Sequence, residues 1–239
     1  MLLLLHYTHG GGGKLSERKP FGLSRAFTLA EVLITLGIIG IVAAMTIPTL
    51  IQKTQKQQTI TALKKVYSSL QQAVKLSEVD NGSIEDWDFS TGSKVFLENY
   101  IISYVSPLKK CFVGSDICWN QKKNLNGSLS YAQSNGIAFI LSDGTQVLFW
   151  HGVDFYEVIV DINGFKLPNQ MGKDVFELQL AKTPATNHTP NLIFIGSNKT
   201  REDMIGAKDS NSCNKLGTGL FCGALIQQDG WEIKDDYPW

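Results

Sequence analysis

The residue that most needs a chemical reason is Glu31. It is the only charged side chain in a 21-residue apolar run, Phe27 to Ile47 (FTLAEVLITLGIIGIVAAMTI). A carboxylate in an apolar helix costs a few kcal/mol on membrane-insertion scales, so such a residue is a functional hypothesis by default. Two resolutions are open: the side chain reaches interfacial water from near the end of the run, or it takes a cationic partner at the same depth. A free amine made by cleavage just before Phe27 would be such a partner. A second group is oxygen-rich: Asp161, Asn163, Asn169 and Asp174. Calcium takes six to eight hard oxygen ligands, which makes these four a calcium candidate. The same residue types also serve turn chemistry, and the reading as a polar turn between strands is preferred.

The remaining reactive residues point away from catalysis. The histidines His6, His9, His151 and His188 are scattered, and no HExxH, GxSxG or phosphate-loop pattern occurs. The glycine tract Gly10–Gly13 lacks the following Lys-Ser/Thr that a phosphate cradle needs. No enzyme is expected. Cys111, Cys118, Cys213 and Cys222 form no CxxC, so zinc and thioredoxin chemistry are poorly supported. Four cysteines allow three pairings; Cys111–Cys118 and Cys213–Cys222 are expected because short loops close most easily. Disulfides would suit an exported body.

These residues sit on a simple order of elements. Residues 1–26 read as a leader, with Lys14, Arg18, Lys19 and Arg25 against Glu17, a net of +3. The rest of the 239-residue chain then carries a net of −3, since the whole is neutral. Basic residues before an apolar span hold that end in the cytoplasm. Residues 27–48 are long enough, at about 1.5 Å per residue, to cross a bilayer core of about 30 Å. Residues 49–80 continue as an amphipathic helix, with Ile60, Leu63, Val66, Tyr67, Leu70, Ala73 and Val74 on one face. If Pro48 only kinks the rod, one helix of about 50 residues runs from Phe27. The helix should stop before the turn pair Asn81-Gly82.

Residues 81–239 read as a mixed extracytoplasmic domain. A helix is predicted over 94–104, and strands over 137–141, 145–150, 157–162, 175–180 and 192–195. The connections are short, so the sheet should be antiparallel. The fold class is α+β: a long N-terminal helix, transmembrane then amphipathic, packed on an antiparallel sheet.

The segment Ala26-Phe27-Thr28-Leu29-Ala30-Glu31-Val32-Leu33-Ile34 resembles the prepilin cleavage and methylation motif of the type IV pilin-like proteins, which include the type II secretion pseudopilins. That resemblance implies cleavage between Ala26 and Phe27 by a prepilin peptidase, methylation of the Phe27 amine, and a glutamate fifth in the mature chain, where Glu31 stands. It extends to Gly40 and Pro48, fourteenth and twenty-second counted from Phe27, and covers about Arg25 to Glu78. Ala26 departs from the pattern, since the family prefers glycine there. The implied fold is pilin-like. The implied role is a structural subunit anchored in the inner membrane, with its C-terminal domain extracytoplasmic, which then enters a pilus or pseudopilus. Implied partners are copies of itself or other pilin-like subunits, the peptidase, the assembly machinery and the membrane. Glu31 would pair with the Phe27 amine of a neighbour. Some major pseudopilins hold calcium near the C-terminus, which bears on the oxygen-rich group. A competing role is a membrane-anchored binding module, such as a competence-type minor pilin that captures DNA. It would need a basic patch, and Lys109, Lys110, Lys122 and Lys123, flanked by Phe112 and Trp119, are the local cluster. Solvated loop lysines explain that cluster better, and no nucleic acid is expected.

Overall fold

The computed structural model describes residues 27–112, 118–130, 136–182 and 192–239. Its first element is α1, Leu29–Asn81, a 53-residue helix that passes through Pro48. Proline has no N–H to give the carbonyl four residues back, yet the flanking turns keep the helix going. The helix stops where Gly82 takes φ +78°, a conformation that side chains with a Cβ rarely adopt. Two compact units divide the chain, residues 1–49 and 50–239.

In the described part of the first unit the helix is apolar and uncovered. Leu33, Ile34, Leu36, Ile38, Ile39, Ile41 and Val42 are all exposed. Length and composition make this helix able to cross a membrane. An apolar helix with no covering of its own needs lipid or another protein around it.

The second unit is built on a six-stranded antiparallel meander. Its strands are β1 (Lys109–Phe112), β2 (Ile137–Ile140), β3 (Gln146–His151), β4 (Phe155–Asp161), β5 (Val175–Ala181) and β6 (Leu192–Phe194), paired in chain order. Short turns join β2 to β3 and β3 to β4, and such turns can link only antiparallel neighbours. Alternate residues of each strand face opposite sides. Val147, Phe149, Tyr156, Val158, Val160, Phe176, Leu178 and Leu180 share one core with Ile60, Leu63, Val66, Tyr67, Leu70 and Val74 of α1. This is the predicted apolar stripe of the helix, now buried on the sheet. The other face carries Ala138, Leu148, Ile159 and Val175, covered by Met171 and the Cys111 and Cys118 side chains.

The predicted α+β class is therefore what the structure shows. Several details differ. The helix expected over 94–104 is two pieces, α2 (Ser93–Tyr100) and α3 (Ile102–Val105), broken at Ile101. Ile101 is 1% exposed, so its side chain is committed to the core even though its backbone leaves the helix. Strand β1 was not anticipated, because Lys109 and Lys110 mask it. Two short helices near the C-terminus, α4 (Arg201–Ile205) and α5 (Cys222–Gln228), were also missed.

Arg201 of α4 holds the final segment. Its guanidinium donates to both oxygens of Asp229, at 2.7 and 3.0 Å, and to both oxygens of Asp236, at 2.8 Å each. Lys234 adds a 2.7 Å pair to Asp229. Planar guanidinium groups favour such two-pronged bonds to carboxylates.

On the second face of the sheet, Glu177 of β5 is 5% exposed. It lies diagonal to Glu157 of β4, since Ile159 pairs with Glu177 and Glu157 with Gln179. Burial, reinforced by the charge on Glu157, pushes the Glu177 carboxyl up to about 8. Glu157 is raised too, chiefly by burial. Two carboxyls side by side away from water cannot both ionise cheaply.

Candidate functional site

Three groups of sequence-predicted residues can now be placed. At the start of α1, Ala26 lies outside the described residues, while Phe27 is 85% exposed just ahead of the helix. Glu31 does not point away from its own chain. Its Oε2 accepts from the Thr28 backbone N–H at 2.8 Å and from Thr28 Oγ1 at 2.9 Å. In return the Glu31 N–H donates to Thr28 Oγ1 at 3.2 Å. This is the reciprocal capping box in which a threonine and a glutamate three residues on satisfy the first free N–H groups of a helix. The negative charge also suits the positive end of the helix dipole. The signal stands in the sequence as Thr28-Leu29-Ala30-Glu31, the Thr-x-x-Glu spacing of a capping box.

Gly40 and Pro48 both lie inside the continuous helix. A Cβ added at Gly40 would meet nothing within 4 Å. Its smallness therefore answers no contact among the described residues, and it leaves the helix backbone open to close approach from outside.

The oxygen-rich group does converge, at one end of the sheet's second face. The register places Gln146 opposite Asp161 and Asp161 opposite Val175, the neighbour of Asp174. The Asn163-Gly164 turn brings Asn163 back onto Asp174. Gly164 (φ +70°) is required there, because a Cβ would stand 2.6 Å from the Gly144 carbonyl oxygen. Asp174 is saturated by N–H donors: Gln170 N at 2.7 Å, Asn169 N at 2.8 Å and Asn163 Nδ2 at 3.0 Å.

A residue not assigned to this group stands at its centre. Lys122, from the segment crossing this face, is 4% exposed and forms an ion pair with Asp161, which is fully buried. Its ammonium also donates to Asn120 Oδ1 at 2.5 Å and to Gln146 Oε1 at 2.9 Å. The Trp119 ring lies 4.5 Å from the same nitrogen. Three protons thus meet three acceptors, with an aromatic face beside them. The Asn169 amide fits best with its Nδ2 donating to Asp161 Oδ2 at 3.0 Å and to the Gly164 carbonyl at 3.2 Å. Burial pulls the Lys122 ammonium down from its ordinary value, partly offset by Asp161. Burial likewise pushes Asp161 up to about 6 against the opposing pull of Lys122.

The positive charge at this site is therefore a lysine. With Asp174 committed to N–H groups, the arrangement fits the polar-turn reading better than the calcium reading. Among the described residues, no three His, Cys, Asp or Glu side chains gather as a metal site.

The same finding corrects the basic cluster. Lys122 is buried and Trp119 is occupied by it, while Lys109 and Lys110 belong to β1. Only exposed lysines attract phosphate backbones effectively. The four residues do not form one surface patch.

Both expected disulfides are present. Cys111 is bonded to Cys118 and Cys213 to Cys222, and no described cysteine is free. The first ties β1 to the segment leading to Lys122; the second joins the loop after α4 to the first turn of α5. Bonds of this kind persist in oxidising compartments, which fits an extracytoplasmic domain. His151, read as structural, donates its Nε2–H to the Phe89 carbonyl at 2.7 Å and packs on Tyr156.

Residues 49–239 match a family model described as "Family of unknown function (DUF6613)". No curated protein and no solved structure matches the chain significantly. The family match starts at the boundary between the two compact units, so it covers the whole sheet domain and leaves out the apolar segment.

Proposed function

As the chain belongs to the DUF6613 family, whose function is unknown, we propose its role from its own residues: a structural pilin-like subunit of a type IV pilus or type II secretion pseudopilus. It acts by assembling through its N-terminal helix and is not an enzyme. The observation that carries this reading is one helix with two surfaces. Its first part, up to Pro48, is apolar and uncovered; its second part is a core element of the sheet domain. So much exposed apolar surface on one helix needs partners in place of water. In the membrane those partners are lipids, and in a filament they are the apolar helices of neighbouring subunits. The Phe27–Glu31 sequence supports the same reading through its resemblance to the prepilin motif. A groove of about 730 Å³ beside α1, lined by Leu50, Gln57, Thr61, Asp143 and Ile162, leaves further surface for a neighbour.

On this reading a peptidase removes residues 1–26 and the new Phe27 amine is methylated. The capping box prepares Glu31 for a low-dielectric setting, because its carboxylate already accepts two hydrogen bonds. A neighbour's Phe27 amine then supplies the charge that those neutral donors cannot. The sheet domain stays outside the cytoplasm, where its disulfides form. The DNA-capturing alternative loses its support with the burial of Lys122.

The experiment is intact-mass and N-terminal peptide analysis of membrane-extracted protein, with and without a co-expressed prepilin peptidase. A new N-terminus at Phe27, one methyl group heavier, is the expected result. An uncut chain in the presence of active peptidase would overturn the pilin-like role and leave a plain membrane-anchored domain.

A further inference from the structure

We propose that Lys122 and Asp161 are a site of covalent self-modification: their side chains condense to an amide that cross-links the 118–130 segment to β4. Four observations carry this. First, the Lys122 nitrogen and an Asp161 carboxylate oxygen are in direct contact. Second, the pair is closed to solvent, at 4% and 0% exposure, so water does not compete for the acyl carbon or dilute the amine. Third, the amine is aimed. Asn120 Oδ1 and Gln146 Oε1 hold two of its protons and the Trp119 ring lies against it, which fixes the nitrogen beside Asp161 Oδ2. Fourth, the carboxyl group carries its own donors. The Asn163 N–H reaches Oδ1 at 3.1 Å, and the Asn169 amide nitrogen reaches Oδ2 at 3.0 Å. The donor on Oδ1 stabilises the oxyanion that forms when the carboxyl carbon is attacked, and the donor on Oδ2 holds the group in place.

The step balances without any outside reagent. A proton passes from the Lys122 ammonium to Asp161 Oδ2, which gives a neutral amine beside a carboxylic acid. The nitrogen lone pair adds to the Asp161 carboxyl carbon, and the oxyanion on Oδ1 is held by the Asn163 N–H. A second proton moves from nitrogen to the Oδ2 hydroxyl, the C–Oδ2 bond breaks, and water leaves. One C–N bond has formed and one C–O bond has broken; nothing is oxidised or reduced. Desolvation favours the first transfer, since it lowers the lysine and raises the aspartate toward their neutral forms. Asp174 is spectator to the chemistry, because its oxygens are filled by three N–H groups.

The test is the mass of the full chain, purified from membranes in detergent and then denatured. The cross-linked wild type is expected about 18 Da below its sequence mass, after allowance for two disulfides and any N-terminal processing. Tryptic digestion should give no cleavage after Lys122 and should yield one branched peptide joining the Lys122 and Asp161 segments. Asp161→Asn should shift the loss to about 17 Da, because ammonia leaves in place of water. Lys122→Arg should abolish it. The wild-type mass decides by itself, so a variant that fails to fold does not blur the answer. A wild-type chain of full mass, cut by trypsin after Lys122, would overturn the proposal and leave a buried ion pair.

Discussion

Leu63 is the sharpest probe of how α1 is used. Its side chain is fully buried in the core that α1 shares with the sheet. Leu63→Ala removes three carbon atoms, a loss of about 2.4 kcal/mol at about 0.8 kcal/mol per buried methylene. If about 50 Å³ of the space stays open, the cavity adds about 1.2 kcal/mol. The expected total is about 3.5 kcal/mol. In a domain of this size that lowers Tm by roughly 7–14 °C. The assay is urea and thermal unfolding of the detergent-solubilised full chain, followed by tryptophan fluorescence, which reports the buried Trp87. Gln72→Ala is the control, because Gln72 lies on the exposed side of the same helix and should change stability by less than about 0.5 kcal/mol. If Leu63→Ala costs no more than the control, α1 is not a core element of the sheet domain. One helix would then not serve both anchor and body.

Three other outcomes are expected. The Glu177 carboxyl, raised to about 8 by burial and by Glu157, holds its proton in the folded chain where the unfolded chain has lost it. Stability should therefore fall as pH rises from the ordinary glutamate range toward 8, and Glu177→Gln should gain on the wild type across that window in pH-dependent urea unfolding. The double variant Cys213→Ala/Cys222→Ala opens a loop with a sequence separation of 9, which should cost about 2.6 kcal/mol through loop entropy, read as a lower urea midpoint. Thr28→Ala removes the Oγ1 half of the capping box, while the backbone N–H to Glu31 stays, and should weaken the helix start by about 1 kcal/mol, visible as faster amide exchange over the first turn in micelles.

Much of this fold was legible in the sequence because the governing periods are simple. The apolar stripe Ile60–Val74 sits where a 3.6-residue period puts it, and five of the six strands lie within a residue or two of their predicted ends. The cysteine pairs followed from loop length. What stayed hidden were contacts between distant segments. Lys122 looks like any loop lysine until the register of β3, β4 and β5 gathers Gln146, Asp161 and Asp174 around it. Strand β1 begins with two lysines, so its alternation is invisible, and it is a strand because β2 offers it an edge. Glu31 is the opposite case. Its partner Thr28 is only three residues away, so this contact is legible from spacing alone.

The two disulfides carry a consequence for the order of events during export. On the proposed topology the part after the apolar span is threaded in chain order, which delivers Cys111 and Cys118 to the oxidising side long before Cys213 emerges. At that moment each has only one thiol to meet. The later pair arrives when the earlier one is already closed, and again each finds its neighbour first. Vectorial delivery thus removes the wrong pairings that four simultaneous thiols would explore. A simple oxidant should suffice for this protein, with no isomerase to shuffle mistakes. Refolding the reduced full-length chain from denaturant loses that temporal separation, and scrambled bridges should appear there first.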